Sequence, residues 1–274
     1  MIDVFTQTSP LVLIGAGKMG GAMLVGWLDR GLAPSAVVVV EPRPAEPLVA
    51  LAADRGFRLL DAAPAGVVAR VLIVAVKPQV LDAALPPLAS LVGPATTVVS
   101  VVAGKTVAAF TRGLATERVV RTIPNTPSQV GRGITAAVAG PAVDAADRAL
   151  VSALLGAVGR VEWVEKESDI DLVTAVSGSG PAYVFHMVEA LAAAGAAAGL
   201  APDLAERLAR ATIEGAGELL HRNPSSPAQL RIDVTSPGGT TAAALAVLMG
   251  ETGLTPLMTE AVAAAAKRSR ELAG

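Results

Sequence analysis

Cysteine is absent from the 274 residues, so neither a disulfide nor a thiolate metal centre can form. Histidine occurs only at positions 186 and 221, too sparsely for a zinc site; His186 and His221 read as helix-packing or surface residues, and no metal is expected. Aromatic residues make up 3% of a chain that is 52% apolar, so its core has to be packed from Ala, Val and Leu rather than built around rings. No uncharged apolar run reaches the ~18 residues that span a bilayer. Arg70, Lys77 and Glu189 interrupt the best candidates despite a mean hydropathy of +0.55. A net charge of -2 offers no basic field to nucleic acid. The opening MIDVFTQTSP has no basic n-region, so no export signal is expected. These absences point to a cytoplasmic protein with a small-molecule ligand and no membrane or nucleic-acid partner.

What is present begins with Leu11–Ile14, a short apolar run that enters Gly15, Ala16, Gly17, Lys18, Met19, Gly20 and then an amphipathic segment to about Arg30. Strand, glycine turn and helix in that order give the GxGxxG spacing its mechanical sense. Gly15 makes the tight turn, Gly17 admits a pyrophosphate to the backbone, and Gly20 lets helix and strand lie close. Val37–Val40 is a second buried strand and ends in Glu41, where a ribose-reading acid is expected. Helices at 46–55, 81–91 and 106–114 alternate with strands at 71–76, 97–101 and 118–122, and further strands at 133–138 and 160–164 flank a helix near 143–158. Continuous apolar strands between helices predict a parallel sheet covered on both faces.

After Glu165, Lys166 and Glu167 the β-branched runs give way to helical stretches at 168–176, 181–199, 202–221, 240–249 and 255–272. Pro181 and Pro202 sit at first-turn positions. The expected division is therefore 1–166, α/β and dinucleotide-binding, followed by 167–274, all-α. Ala192–Ala198 carries almost only Ala and Gly, which suits either a tight pair of helices within the chain or, the preferred reading, a subunit interface.

Four stretches carry candidate chemistry. Ala75, Val76, Lys77 and Pro78 close a strand at the carboxyl edge of the sheet, where open α/β sheets bind ligands, although Lys77 also suits an ordinary solvated position. Ile123–Pro127 holds Asn125 and Thr126 between two prolines, a stiff loop that aims polar groups or simply makes a rigid crossover. Ser177–Tyr183 opens a long helix with Ser179 and Pro181, a helix cap that does not exclude a role beside a substrate. Ser236, Pro237, Gly238, Gly239, Thr240 and Thr241 form a glycine- and hydroxyl-rich bend before an apolar helix. Such a junction offers free N–H groups and a positive dipole end to a carboxylate or phosphate, or is a capped helix start and nothing more.

The motifs GAGKMG, AVKP, IPNTP, VSGSGPAYVF and DVTSPGGTT, spread from about Leu11 to Leu272, resemble those of the pyrroline-5-carboxylate reductase family. The resemblance implies a Rossmann-type dinucleotide-binding domain followed by an all-α dimerisation domain, in homodimers often gathered into a decamer. It implies an NAD(P)H-dependent oxidoreductase that makes L-proline from 1-pyrroline-5-carboxylate, the last step of proline biosynthesis. It assigns the substrate to Ser236, Pro237, Gly238, Gly239, Thr240 and Thr241 with Ser179 nearby, and gives the ring nitrogen to the hydroxyl of Thr241 as the catalytic residue. It assigns the dinucleotide to Ile14, Gly15, Ala16, Gly17, Lys18, Met19, Ala75, Val76, Lys77, Pro78, Val101, Val102, Ala103 and Asn125. Here the chain departs from the family's usual small polar residue after the second strand. Glu41 suits a ribose 2′-OH and opposes a 2′-phosphate, whereas Arg43 could pair with that phosphate. NADP is the expected cofactor, with NAD the alternative. Two rival readings remain: a 3-hydroxyacid dehydrogenase, whose lysine base is missing from 168–221, and a dinucleotide-binding sensor without turnover.

Overall fold

The computed structural model describes residues 4–273. Its first compact unit runs to Gly178 and takes in the chain again from Ala266. In chain order this unit contains β1 (Leu11–Ile14), α1 (Lys18–Asp29), β2 (Val37–Val40), α2 (Glu46–Arg55), β3 (Arg58–Leu60), β4 (Val71–Val74) and α3 (Leu81–Leu88). They are followed by β5 (Thr97–Ser100), α4 (Val107–Leu114), β6 (Val119–Ile123), β7 (Gly133–Ala139), α5 (Ala145–Leu155) and β8 (Gly159–Trp163). The eight strands form one sheet in the order β3-β2-β1-β4-β5-β6-β7-β8, whose first six positions follow the Rossmann arrangement.

The central strands are buried on both faces because both faces are covered by helices. Leu11 and Leu13 of β1 join Met23, Trp27, Val37 and Val39 in one core, while Val12 and Ile14 join Leu72, Val74, Leu81 and Phe110 in the other. This period-two division lets four consecutive apolar residues all be buried. Trp27 donates its indole N–H to the Leu154 carbonyl (2.8 Å), pinning α1 to α5. Asp147, at 1% exposure, accepts from Thr97 Oγ1 (2.7 Å) and from the Arg118 guanidinium. Asp144 caps α5 by accepting the Asp147 N–H (2.9 Å). That hydrogen bond first, and Arg118 second, hold the Asp144 carboxyl below the usual carboxylate range.

The sequence predicts a parallel sheet, and the structure departs from this at one pair. β7 runs antiparallel to β6. Only residues 124–132 separate the two strands, most of them in a short 3₁₀ helix at Thr126–Val130 that ends in Gly131 at φ +67°, too little chain for a crossover. β3 has no counterpart in the sequence reading; it is three residues of half-exposed edge strand. β4 stops at Val74 rather than Val76, which leaves Ala75–Lys77 as loop before a 3₁₀ turn at Pro78–Val80.

Beyond β8, α6 (Asp169–Val173) runs into a π turn at Thr174–Gly178. Thr174 Oγ1 and Ser177 Oγ donate back to the carbonyls of Ile170 (2.7 Å) and Val173 (3.1 Å), hydroxyl contacts that compete with regular helix bonding.

The second unit, Ser179–Ala265, is helical. It comprises α7 (Gly180–Ala197), α8 (Pro202–Arg222), α9 (Pro227–Asp233), α10 (Thr240–Leu248) and most of α11 (Leu254–Ala273). α7 and α8 approach closely at Gly195, where a Cβ would lie 3.3 Å from that of Ala205. The Ala/Gly run therefore serves a pair within the chain, at least at Gly195. Ala205 and Ala209 are the unit's buried apolar residues, while Phe185 (64%), Leu219 (60%), Val247 (74%) and Leu257 (61%) stand open. α9 is absent from the sequence reading; it starts at Ser226, whose Oγ accepts the Gln229 N–H (3.2 Å), with Pro227 in its first turn. The last turns of α11 belong to the first unit, where Ser269 Oγ donates to Asp171 Oδ1 (2.7 Å).

Candidate active site

The first unit brings the carboxyl ends of β1, β2, β4, β5 and β6 to one edge of the sheet. Gly15 turns the chain there at φ +86°, donating its N–H to the Val40 carbonyl (2.9 Å). A Cβ at Gly15 would lie 2.9 Å from the Ala75 carbonyl oxygen, and one at Gly20 only 2.2 Å from that of Gly15. A Cβ at Gly17 would meet nothing within 4 Å. Gly17 is the N-cap of α1, with no side-chain cap and no acid in the first turn. The N–H groups of the first helical turn are therefore left for an external anion, and the space over Gly17 lets it approach. An open cradle at an uncapped helix start, beside a strand-end carboxylate, fits a dinucleotide.

The other predicted residues of this edge fall around that cradle with different freedoms. Ile14 and Val102 turn their side chains into the core, leaving only main chain to a ligand, while Val101 is half-buried and Ala103 exposed. Lys18 and Lys77 are exposed and pair with no acid among the described residues. Met19, Ala75, Val76 and Pro78 are half-buried and flank them. Glu41 Oε2 accepts the Ala16 N–H (3.1 Å) and Oε1 accepts the Arg43 N–H (3.3 Å). Asn125 is 8% exposed; its Nδ2 donates to the Ser177 carbonyl (3.1 Å) and its Oδ1 accepts the Ile134 N–H (3.0 Å). The stiff proline loop thus ties β6 and β7 to the π turn, and one donor and one acceptor position of the amide remain for a ligand.

Sequence reasoning missed a residue pair that shapes this edge. Arg121, 4% exposed in the middle of β6, donates Nη1 to Glu167 Oε1 (2.9 Å), which also accepts the Val107 N–H at the start of α4 (2.8 Å). The signal was an arginine inside the apolar strand VVRTI, since a buried charge demands a partner.

In the second unit, Ser236–Gly239 is a turn closed by the Gly239 N–H on the Ser236 carbonyl (3.0 Å), with Gly238 at φ +69°. Gly239 is the N-cap of α10, and as at α1 there is no side-chain cap and no acid in the first turn. Thr240 is exposed and Thr241 half-buried, and the hydroxyl of Thr241 has no hydrogen-bond partner among the described residues. The chain itself thus leaves the first-turn N–H groups of α10 without a side-chain acceptor, the condition an anion seat requires. Ser179 stands on another element, at the N-cap of α7, and makes no side-chain cap there.

Comparison with known proteins agrees with this layout. The family described as pyrroline-5-carboxylate reductase dimerisation matches residues 167–272, and one described as NADP oxidoreductase, coenzyme F420-dependent, matches residues 10–104. The chain is 42% identical to a pyrroline-5-carboxylate reductase of Synechocystis sp. over 96% of its own length and 97% of the relative's. It is 37% identical to one from Pseudomonas aeruginosa, over 97% and 98%. A solved pyrroline-5-carboxylate reductase from Coxiella burnetii superposes with a TM-score of 0.89 at 33% identity, covering 97% of this chain and 99% of the other. A Plasmodium falciparum pyrroline carboxylate reductase solved with NADP bound shares the fold, with a TM-score of 0.77 at 24% identity and coverage of 98% and 100%. With relatives this similar along almost all of its length, the chain belongs to the pyrroline-5-carboxylate reductase family.

Proposed function

We propose that the protein reduces the C=N bond of 1-pyrroline-5-carboxylate to give L-proline, with dinucleotide binding in residues 1–166 and substrate binding and dimerisation in 167–274. The observation that carries this reading is the uncapped bend at Ser236–Thr241, free to receive a carboxylate, in a chain related over almost its whole length to pyrroline-5-carboxylate reductases. When bound, a reduced nicotinamide supplies the hydride taken up by the imine carbon, while the ring nitrogen takes a proton.

The chain's own residues bind and orient. The main-chain N–H groups across Ser236–Thr240 hold the substrate carboxylate, and the free hydroxyl of Thr241 donates to the ring nitrogen, favouring its electrophilic form. Ser179 offers its hydroxyl to the substrate as a hydrogen-bond partner. The first turn of α1 holds the pyrophosphate over Gly17, and the loops at Ala75–Pro78, Val101–Ala103 and Asn125 line the rest of the dinucleotide. Whether that dinucleotide carries a 2′-phosphate is decided at Glu41 and Arg43. The open apolar helices pair two copies into a homodimer, and dimers gather into a decamer. The cytoplasm is the compartment we propose for the reaction. Among the described residues, no helix is long and apolar enough to cross a membrane.

The test is oxidation of NADH or NADPH, followed by absorbance, on addition of 1-pyrroline-5-carboxylate, with a six-membered imine acid as comparison. Turnover with the five-membered ring is expected. Folded protein that oxidises neither dinucleotide would leave the non-catalytic sensor as the better reading.

A further inference from the structure

The carboxylate at the end of β2 deepens this reading and rests on it only in requiring that a nicotinamide dinucleotide bind. Glu41 is fixed at three points. Its N–H is bonded to the Leu60 carbonyl (2.9 Å), its Oε2 accepts from Ala16 inside the glycine turn (3.1 Å), and its Oε1 accepts from Arg43 (3.3 Å). A half-buried carboxylate held this way cannot swing aside without stripping Ala16 of its acceptor. Each oxygen keeps a lone pair, which suits the donors of a ribose diol. Arg43 is the opposing group, but its side chain is exposed on a Pro42-Arg43-Pro44 segment and forms no ion pair among the described residues. It would have to be ordered on binding, and to offset Glu41 before it could favour a phosphate.

We propose that Glu41 is the residue that selects the cofactor, and that it selects NADH over NADPH, the reverse of the expectation drawn from the family. A 2′-phosphate brings about -1.5 to -2 charges at neutral pH and no donor. Within ~5 Å of an immovable carboxylate, the repulsion amounts to about tenfold or more in affinity even after solvent screening. Ribose hydroxyls meet the same carboxylate as donors.

The experiment is calorimetric titration of the protein with NADH and with NADPH, without any imine, for wild type and for Glu41→Gln, which preserves shape and removes the charge. NADH is expected to bind the wild type at least about tenfold more tightly, and Glu41→Gln to cut that ratio by about tenfold. Damage to the glycine turn by the substitution would weaken both ligands alike and leave their ratio unmoved, so the ratio separates selection from scaffolding. Equal or tighter binding of NADPH by the wild type, or an unchanged ratio in Glu41→Gln, overturns the proposal. A preference for NADH in a protein that turns over no imine would sink the catalytic reading alone.

Discussion

Alanine at Gly20 and alanine at Gly17 should fail in opposite ways, although both sit in one glycine turn. In an ordinary helix interior Gly→Ala gains up to about 1 kcal/mol. At Gly20 the new methyl would lie 2.2 Å from the Gly15 carbonyl oxygen, with the Ala75 Cβ behind it at 3.4 Å. α1 must then retreat from β1 by about 1 Å, and overpacking of that kind costs roughly 1–3 kcal/mol. At about 2–4 °C per kcal/mol for a chain of this size, the melting point should fall by about 3–10 °C. Gly17 has φ -65°, which any residue adopts, and open space around it. Gly17→Ala should therefore cost no more than about 1 kcal/mol as an N-cap change. It fills the approach to the helix N–H groups, however, and should weaken dinucleotide binding about tenfold or more. Calorimetry without ligand gives the melting points, and titration with dinucleotide gives the affinities. Gly20→Ala melting like wild type would show that helix and strand do not need the contact. Gly17→Ala binding like wild type would show that the pyrophosphate lies elsewhere.

Thr241→Ala should lower kcat about a hundredfold while costing no more than about 1 kcal/mol of stability; a variant that melts early yet turns over normally would make Thr241 a structural hydroxyl only. Glu167→Gln leaves the guanidinium of Arg121 without its counter-charge. Because the glutamate is one-third exposed, the loss should be about 1–3 kcal/mol rather than the full penalty of a deep pair, and an unaltered denaturant midpoint would contradict it. The carboxyl of Asp144 is held below its ordinary value, so its stabilising contribution is complete above that value and is lost as pH falls through the folded one. Urea midpoints of wild type and Asp144→Asn should therefore differ at neutral pH and converge below about pH 4; a gap that persists at pH 2 would show that the contribution is not ionic.

Much of the first unit was legible because its strands are local events. Val37–Val40 and Glu46–Arg55 lie where the apolar run and the helix periodicity place them, and the glycines of 15–20 announce their own turn. The direction of β7 was not legible, since an apolar run reads the same in either orientation and the deciding fact is how little chain residues 124–132 supply. β3 and α9 were missed for a related reason. A three-residue edge strand has no pattern, and α9 is announced only by its cap, Ser226, and the proline after it. At the candidate site, residue types near the dinucleotide could be named, but their hydrogen bonds could not. Glu41 with Ala16 and Asn125 with Ser177 join residues 25 and 52 positions apart, which no local spacing foretells.

The two units differ in what holds them together, and this difference can be measured. The first buries Trp27, Phe110 and a column of Leu and Val on both faces of its sheet, whereas the second buries Ala205 and Ala209 and leaves Phe185, Leu219, Val247 and Leu257 more than half exposed. At ~25 cal/mol per Å² of apolar surface, two alanines cannot offset the ordering of five helices. The missing stabilisation has to come from a partner surface; residues 167–272 match a dimerisation family, and a second copy of the chain is the partner proposed above. Helical folding is then linked to association, so each tenfold dilution removes about 1.4 kcal/mol from the dimer. The corresponding transition should fall by about 3–5 °C per decade of concentration, while a transition owed to the first unit alone stays put. Circular dichroism melts at 1 and at roughly 100 micromolar, read beside sedimentation equilibrium, decide the matter. A monomer that keeps its full helical signal and one fixed melting point across that range would mean that the open faces stabilise themselves, and the linkage would be wrong.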